Sequence, residues 1–416
     1  MRVLAVSYML PPALYPQAIQ IGQLLEHLPA EIATVSGAPN ASSAMAASEA
    51  IERRLAFRLT IPFRPGLSGV WLELARRVVP FYARVPDEFR RWVPRAERAL
   101  LMKLNATGFR PDVLATFGEP MSDHLLGLRL KRRLGLPWLA HFSDPWADNP
   151  FRRFQPLANL VNRRLERRVI ASADRLVFTS SETLDLMIRK YPNCRGKASV
   201  VPHSFDPALY PRAAARRGPL MVRYLGNFYG HRTPFPLLAA LKRILSTNQE
   251  ILTETRFELV GGLSPRLELN SAWNGLPQGL VARVPTVHHH HALALMAESD
   301  LLLVIDAPSD LSVFLPSKLV EYLGAGVPVM GIVPSGASAR LIKSLGGIVA
   351  DPRDINAVAA GLVQALEMAT RWRASDKPWG DASVRDLYRI DCVADKFADL
   401  LHLTCATHAE RGSLQG

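Results

Sequence analysis

Short apolar runs alternate with amphipathic segments along most of this chain, and that alternation restricts the fold more than any other feature of it. A strand buried on both faces is apolar throughout, whereas a helix covering a sheet repeats its apolar residues at helical spacing. Arg2 to Met9 reads as a strand, Ala18 to Leu28 as a helix and Glu31 to Ser36 as a strand again. The pattern recurs in strands at Val113 to Phe117, Trp138 to Phe142 and Leu176 to Thr179. Helices fall at Asp123 to Leu134, Leu157 to Ala171 and Glu182 to Tyr191, and Val200-Val201-Pro202 closes a first unit. Asp206 to Pro219, with three prolines among arginines, reads as a linker. A second unit has strands at Leu220 to Leu225, Phe257 to Val260, Leu301 to Ile305, Pro328 to Ile332 and Gly347 to Ala350. Between them lie helices at Pro236 to Leu245, His291 to Glu298, Ser317 to Leu323 and Ala337 to Leu345, and helical segments run on to the C-terminus.

Strand followed by helix throughout predicts an α/β chain of two doubly wound, Rossmann-like domains. The expected division is 1–205, a linker at 206–219, a second domain at 220–380 and a helical segment at 381–416 that packs back on the first domain. Ligands of such sheets bind outside the carboxyl ends of the strands, so two domains facing each other place a site in the cleft between them. With 416 residues, two domains fit the usual ~100–200 residues apiece. Hydrophobic residues at 48% and charged residues at 21% supply real cores and exclude disorder throughout.

No apolar run approaches the ~18 residues of a membrane span; Asp300 and Asp306 close off even Leu301 to Ile305. The first residues lack a signal-peptide pattern and read as a buried strand. Cys194, Cys392 and Cys405 form no CxxC pair, which argues against a disulfide framework or zinc ribbon and suits the cytoplasm.

The formal charge of +13 is uneven: residues 1–200 carry +12 and residues 201–416 carry +1. Much of the excess lies in Arg84 to Lys103 and Arg152 to Arg168. In the first stretch Phe89, Trp92, Leu100 and Leu101 interleave with arginines, a pattern that fits either an anionic lipid surface with the apolar side inserted or a solvated amphipathic helix packed on its own domain. No RNA- or DNA-binding motif accompanies the arginines, so nucleic acid is not the expected partner.

The segment with most chemical content is Phe314-Leu315-Pro316-Ser317-Lys318-Leu319-Val320-Glu321-Tyr322-Leu323-Gly324-Ala325-Gly326-Val327-Pro328-Val329. Pro316 and Ser317 suit a helix start, and Gly324 and Gly326 its end. Lys318 and Glu321 share one helix face, with the lysine beside the free N–H groups of the first turn. That arrangement suits a diphosphate at one end and sugar hydroxyls at the other; the alternative is a plain surface salt bridge.

The run Pro-Ser-Lys-x-x-Glu-Tyr-x-x-x-Gly-x-Pro resembles the donor-site signature of family 4 glycosyltransferases of the GT-B fold. Tyr224-Leu225-Gly226-Asn227-Phe228-Tyr229-Gly230-His231-Arg232 resembles the loop after the first strand of their donor domain, and Phe257-Glu258-Leu259-Val260-Gly261 a later strand with its glycine. Phe142-Ser143-Asp144-Pro145-Trp146 is similar to an acceptor-domain segment. Ala173-Asp174-Arg175-Leu176-Val177 and Val200-Val201-Pro202-His203-Ser204-Phe205-Asp206 are similar to the approach to the hinge. The resemblance covers roughly residues 1–370.

It implies transfer of a hexosyl-type sugar from a nucleotide diphosphate donor, with retention of configuration, to a lipid-linked or polysaccharide acceptor in cell-surface or exopolysaccharide synthesis. The expected site is cytoplasmic, at the inner face of the membrane. By the same resemblance, Glu321 holds hydroxyls of the donor's ribose or sugar, Arg232 and Lys318 neutralise the diphosphate, and Gly226, Asn227, Gly261, Pro316 and Ser317 complete the donor site. No Asp-x-Asp pair stands ready for a metal, so neither metal nor other cofactor is expected.

Departures from the family pattern keep other readings open. Val313 stands where a second glutamate is usual, Pro11 to Gln17 lacks adjacent glycines, and Ser143 takes the place of a histidine. Asp144, assisted by His141, either orients the acceptor hydroxyl or caps its loop; Glu119 and His124 are further acceptor-side candidates. His288-His289-His290-His291 reads as a solvated loop and helix start, because consecutive histidines cannot all point one way. The alternative functions are a non-catalytic sugar-nucleotide or anionic-surface binding protein and, third, a sugar-nucleotide epimerase.

Overall fold

The computed structural model describes residues 1–13, 15–37, 51–63, 85–149, 156–211, 218–375 and 377–413. It divides into a unit of Met1–Pro202 with Val393–Gly416 and a unit of His203–Cys392.

The first unit contains β1 (Arg2–Val6), α1 (Pro16–His27), β2 (Glu31–Gly37), β3 (Leu55–Ile61), α2 (Trp92–Thr107), β4 (Val113–Gly118) and α3 (Ser122–Leu134). β5 (Trp138–Phe142), α4 (Pro156–Ser172), β6 (Arg175–Phe178), α5 (Ser181–Lys190) and β7 (Ala198–Val200) follow. The strands pair in the order β3-β2-β1-β4-β5-β6-β7, all parallel. Along β1, Leu4 and Val6 enter one core and Val3 and Ala5 the other, the period-two division a doubly covered strand requires. Each such buried leucine or valine contributes about 1.5–3 kcal/mol.

The second unit contains β8 (Leu220–Leu225), α6 (Phe235–Thr247), β9 (Thr255–Val260), β10 (Val281–Val284), α7 (His289–Ala297) and β11 (Leu301–Ile305). α8 (Ser317–Ala325), β12 (Val329–Ile332), α9 (Ala337–Ser344), β13 (Ile348–Ala350) and α10 (Ile355–Arg373) complete its main elements. The sheet runs β10-β9-β8-β11-β12-β13, again entirely parallel. Asp354 starts α10 by accepting hydrogen bonds from the backbone N–H groups of Asn356 and Ala357, both at 3.0 Å. The last long helix, α11 (Ile390–Ser413), lays Val393, Ala394, Phe397 and Leu401 into the core that covers β1 and β4.

Two strands absent from the sequence reading, β3 and β10, each form one edge of their sheet. An edge strand has one neighbour and more exposed residues, so Leu55–Ile61 and Val281–Val284 are partly open to solvent and interrupted by Arg58 and Arg283, whereas β4, β5 and β11 are buried throughout. The arginine-rich α2 turns Trp92, Val93, Leu100 and Leu104 into its own core. Of the two readings of this segment, that favours the amphipathic helix packed on its own domain. Arg84, Arg152 and Arg153 lie outside the described residues. Among the described residues, no helix is long and apolar enough to cross a membrane.

Candidate functional site

The second sheet reverses its strand order between β8 and β11, the place where open α/β sheets hold ligands beyond the strands' carboxyl ends. Directly past β8 comes Gly226, with φ 139°, and past β9 comes Gly261, with φ 140°. Both conformations favour glycine, and a Cβ at Gly261 would collide with the carbonyl oxygen of Gly226. The side chain of Asn227 accepts a hydrogen bond from Gly262 N–H at 2.7 Å, which ties the two loops together.

Arg232, at 8% exposure, reaches the first residue beyond β11. Its Nη2 and Nε donate to one oxygen of Asp306 at 2.8 and 3.2 Å, and Nη1 donates to the Tyr229 hydroxyl at 3.0 Å. Burial on its own would lower the pKa of the guanidinium, but Asp306 together with Tyr224 and Tyr229 outweighs it and leaves the value raised. The cation therefore stays charged inside the fold.

α8 supplies the other charges. It starts at Pro316 and Ser317 and seats Leu319, Val320, Tyr322 and Leu323 in the core, leaving Lys318 and Glu321 on the remaining face. The hydroxyl of Tyr322 accepts a hydrogen bond from Leu225 N–H at 3.0 Å, so the helix is tied to the end of β8. Lys318 Nζ donates to the Tyr224 hydroxyl at 2.9 Å and stands 4.2 Å from that ring's centroid. Loss of water around the amine, with the charge of Arg232 next, holds its pKa well below the ordinary lysine value, against the pull of Asp306 and Glu321. Lys318 and Glu321 therefore do not form the surface salt bridge that their spacing also allowed. The carboxylate instead meets His289, Nε2 to Oε1 at 2.9 Å, and Tyr210 donates its hydroxyl to the carbonyl oxygen of Glu321 at 2.7 Å.

Gly226, Asn227, Arg232, Gly261, Pro316, Ser317, Lys318 and Glu321 thus occupy one region at the switch point. The sequence reading missed Tyr224, Tyr229, Asp306 and His289 there. Asp306 carried a signal, as the first charge after an apolar strand. His289 corrects the reading of the histidine run as solvated: it opens α7, which packs on α8, and is 25% exposed while its neighbours lie open to water.

In the first unit the strand order reverses between β1 and β4. Glu119 follows β4 with φ 92°, a conformation that costs a residue with a side chain about 1–3 kcal/mol. His141 lies in β5 beside Phe117, ring centroids 5.4 Å apart, and Asp144 follows the end of that strand. His124 is fully enclosed in α3, its Nδ1 2.8 Å from the Thr116 hydroxyl, and burial, followed by the charge of His141, pushes its pKa down to about 3. Asp123 beside it is also enclosed, accepts a hydrogen bond from Tyr8 N–H at 2.8 Å and is held well above the carboxylate range, chiefly by burial. The segment after β5 is pinned: Thr179 donates to the Ser143 carbonyl at 2.8 Å and Trp146 Nε1 to Asn162 at 2.9 Å. Glu166 accepts from Ala147 N–H at 3.2 Å and from the Tyr191 hydroxyl at 2.8 Å, and pairs with Lys190. Along α4, Leu157, Leu160, Arg163, Arg164 and Arg167 are exposed.

Residues 33–209 match the family model described as Glycosyltransferase Family 4. The match covers less than half of the chain. Glu119, His124, His141 and Asp144 all lie within the matched stretch. A D-inositol 3-phosphate glycosyltransferase of Stackebrandtia nassauensis is 24% identical over a stretch covering 47% of this chain and 46% of that protein, so the match spans about half the length of this relative. Among solved structures, sucrose-phosphate synthase of Thermosynechococcus elongatus has a TM-score of 0.70 at 19% identity, covering 98% of this chain and 99% of that one. Anabaena HepE in complex with UDP and glucose has a TM-score of 0.67 at 14% identity, covering 97% and 99%. The fold is GT-B, with two Rossmann-like domains.

Proposed function

We propose that this chain is a retaining glycosyltransferase that moves a sugar from a nucleoside diphosphate donor, bound in the second unit, to a lipid-linked or polysaccharide acceptor in cell-surface or exopolysaccharide synthesis. The observation that carries the reading is the convergence of two close-set glycine loops, Arg232, Lys318 and Glu321 at one switch point. A leaving diphosphate gains negative charge as its bond to the sugar breaks, and cations fixed beforehand in a dry site stabilise it most at that moment. Arg232 is already locked by Asp306. Lys318, held below its ordinary pKa by burial and by the charge of Arg232, gains its proton more readily as a diphosphate enters. These two cations and the N-terminus of α8 take the part that a divalent metal plays elsewhere. A structural relative described as bound to UDP-glucose supports a nucleotide-sugar donor.

On the acceptor side we assign Asp144 to orienting the incoming hydroxyl, with His141 in the adjoining strand. The exposed leucines and arginines of α4 suit an anionic membrane surface, which supports a reaction at the inner face of the membrane. Turnover of a panel of nucleotide sugars, followed by nucleoside diphosphate release in the presence of lipid or polysaccharide acceptors, tests the reading. Lys318→Ala and Glu321→Ala should each lower activity by ~10- to 1,000-fold. Near-normal rates in both would overturn the donor site, and absence of turnover would favour a non-catalytic sugar-nucleotide binding protein, the reading suggested by Val313 and Ser143.

A further inference from the structure

The histidine at the start of α7 touches Glu321 of the proposed donor site and has no task in the proposed function. His289 Nε2 lies 2.9 Å from Oε1 of Glu321, and the two side chains are 25% and 14% exposed. The backbone of Glu321 is fixed independently, by the Tyr210 hydroxyl on its carbonyl oxygen at 2.7 Å. A Cβ at Gly324 would collide with the Tyr210 ring, so helix and tyrosine are in direct contact. With its backbone held, the carboxylate keeps only its side-chain torsions, and the bond to His289 sets those.

We infer that His289 is a positioning residue that makes this site select ribonucleotides: by occupying Oε1 of Glu321 it presents Oε2 as the acceptor for the hydroxyls of a ligand's ribose. The inference rests on the donor-site reading and adds to it the residue that orients the hydroxyl acceptor. A glutamate free to rotate satisfies itself with water in several orientations; one held by a second side chain has its acceptor aimed before the ligand arrives. The other histidines of the run are exposed and have no such contact to lose.

The test is calorimetric titration of the full chain with UDP, GDP and ADP, then of the tightest binder against its 2′,3′-dideoxy analogue. Wild type should prefer the ribonucleotide. His289→Ala should weaken the ribonucleotide about tenfold, the scale of one charge-assisted hydrogen bond, while leaving the dideoxy analogue within about twofold. His289→Gln, whose amide can donate to the same oxygen, should restore most of the preference, and His290→Ala should leave it unchanged. A purely structural role would weaken both ligands alike and would not be rescued by glutamine. Retained discrimination in His289→Ala, with discrimination lost in Glu321→Gln, would overturn the inference while sparing the donor site. Absence of nucleotide binding, or equal binding of the dideoxy analogue by wild type, would overturn the site assignment itself and the inference with it.

Discussion

Removing the carboxylate of Asp306 should destabilise the second unit more than removing it together with Arg232. The guanidinium is 8% exposed and the carboxylate residue 4%, and two N–H groups converge on one oxygen at 2.8 and 3.2 Å. Opposite charges about 4 Å apart at an effective dielectric of 20 attract by about 4 kcal/mol. Asp306→Ala strands the cation in the fold and should cost about 3–5 kcal/mol. It also removes hydrogen bonds from Ala307 N–H at 2.8 Å and from the Ser312 hydroxyl at 3.3 Å. Those losses are common to Asp306→Ala and the double variant with Arg232→Met, so the cycle isolates the pair. Native-state hydrogen exchange of peptides spanning Leu302 to Ile305 reads this unit alone, which a global melt of a two-domain chain does not. Exchange in Asp306→Ala should accelerate about 100-fold or more, and the double variant should recover part of that. A coupling below about 0.5 kcal/mol, or a double variant that loses the sum of both singles, would refute the reasoning.

Gly261→Ala should lose nucleotide binding and about 2 kcal/mol or more of stability, since the added Cβ meets the Gly226 carbonyl at a φ that favours glycine; wild-type binding in a thermal-shift assay would contradict the loop geometry. Tyr322→Phe should cost about 1–3 kcal/mol by leaving Leu225 N–H without its acceptor, measured by exchange in β8; an unchanged rate would show that the bond contributes little. The folded-state pKa of His124, about 3, lies below its ordinary 6.5, so its contribution is intact above pH 6.5 and is lost as the pH falls toward 3. Between pH 6.5 and 5 wild type should lose about 2 kcal/mol relative to His124→Gln in exchange across Val113–Gly118, and parallel pH profiles would show that His124 is protonated in the fold.

Much of the fold was legible because central strands are buried on both faces and helices on one. Val3 to Val6, Trp138 to Phe142 and Leu301 to Ile305 announce themselves by composition. β3 and β10 did not, because an edge strand exposes residues that break the apolar run. Residues on one helix turn, such as Lys318 and Glu321, were readable from spacing. Asp306 and His289 were not, since their partners Arg232 and Glu321 lie 74 and 32 positions away and only the folded unit brings them together. The apolar side of α2 left two readings open because local pattern reveals that a face is apolar but not which surface covers it.

The account rests on the second unit holding a nucleoside diphosphate at Lys318 and Glu321. The direct measurement is a thermal-shift screen of the purified chain against UDP, GDP, dTDP and ADP, with Glu321→Ala alongside, since a ligand of the native state raises its melting temperature. The account predicts a concentration-dependent rise with one of these nucleotides that disappears in Glu321→Ala. No shift with any of them, or a shift that the variant keeps, would contradict it.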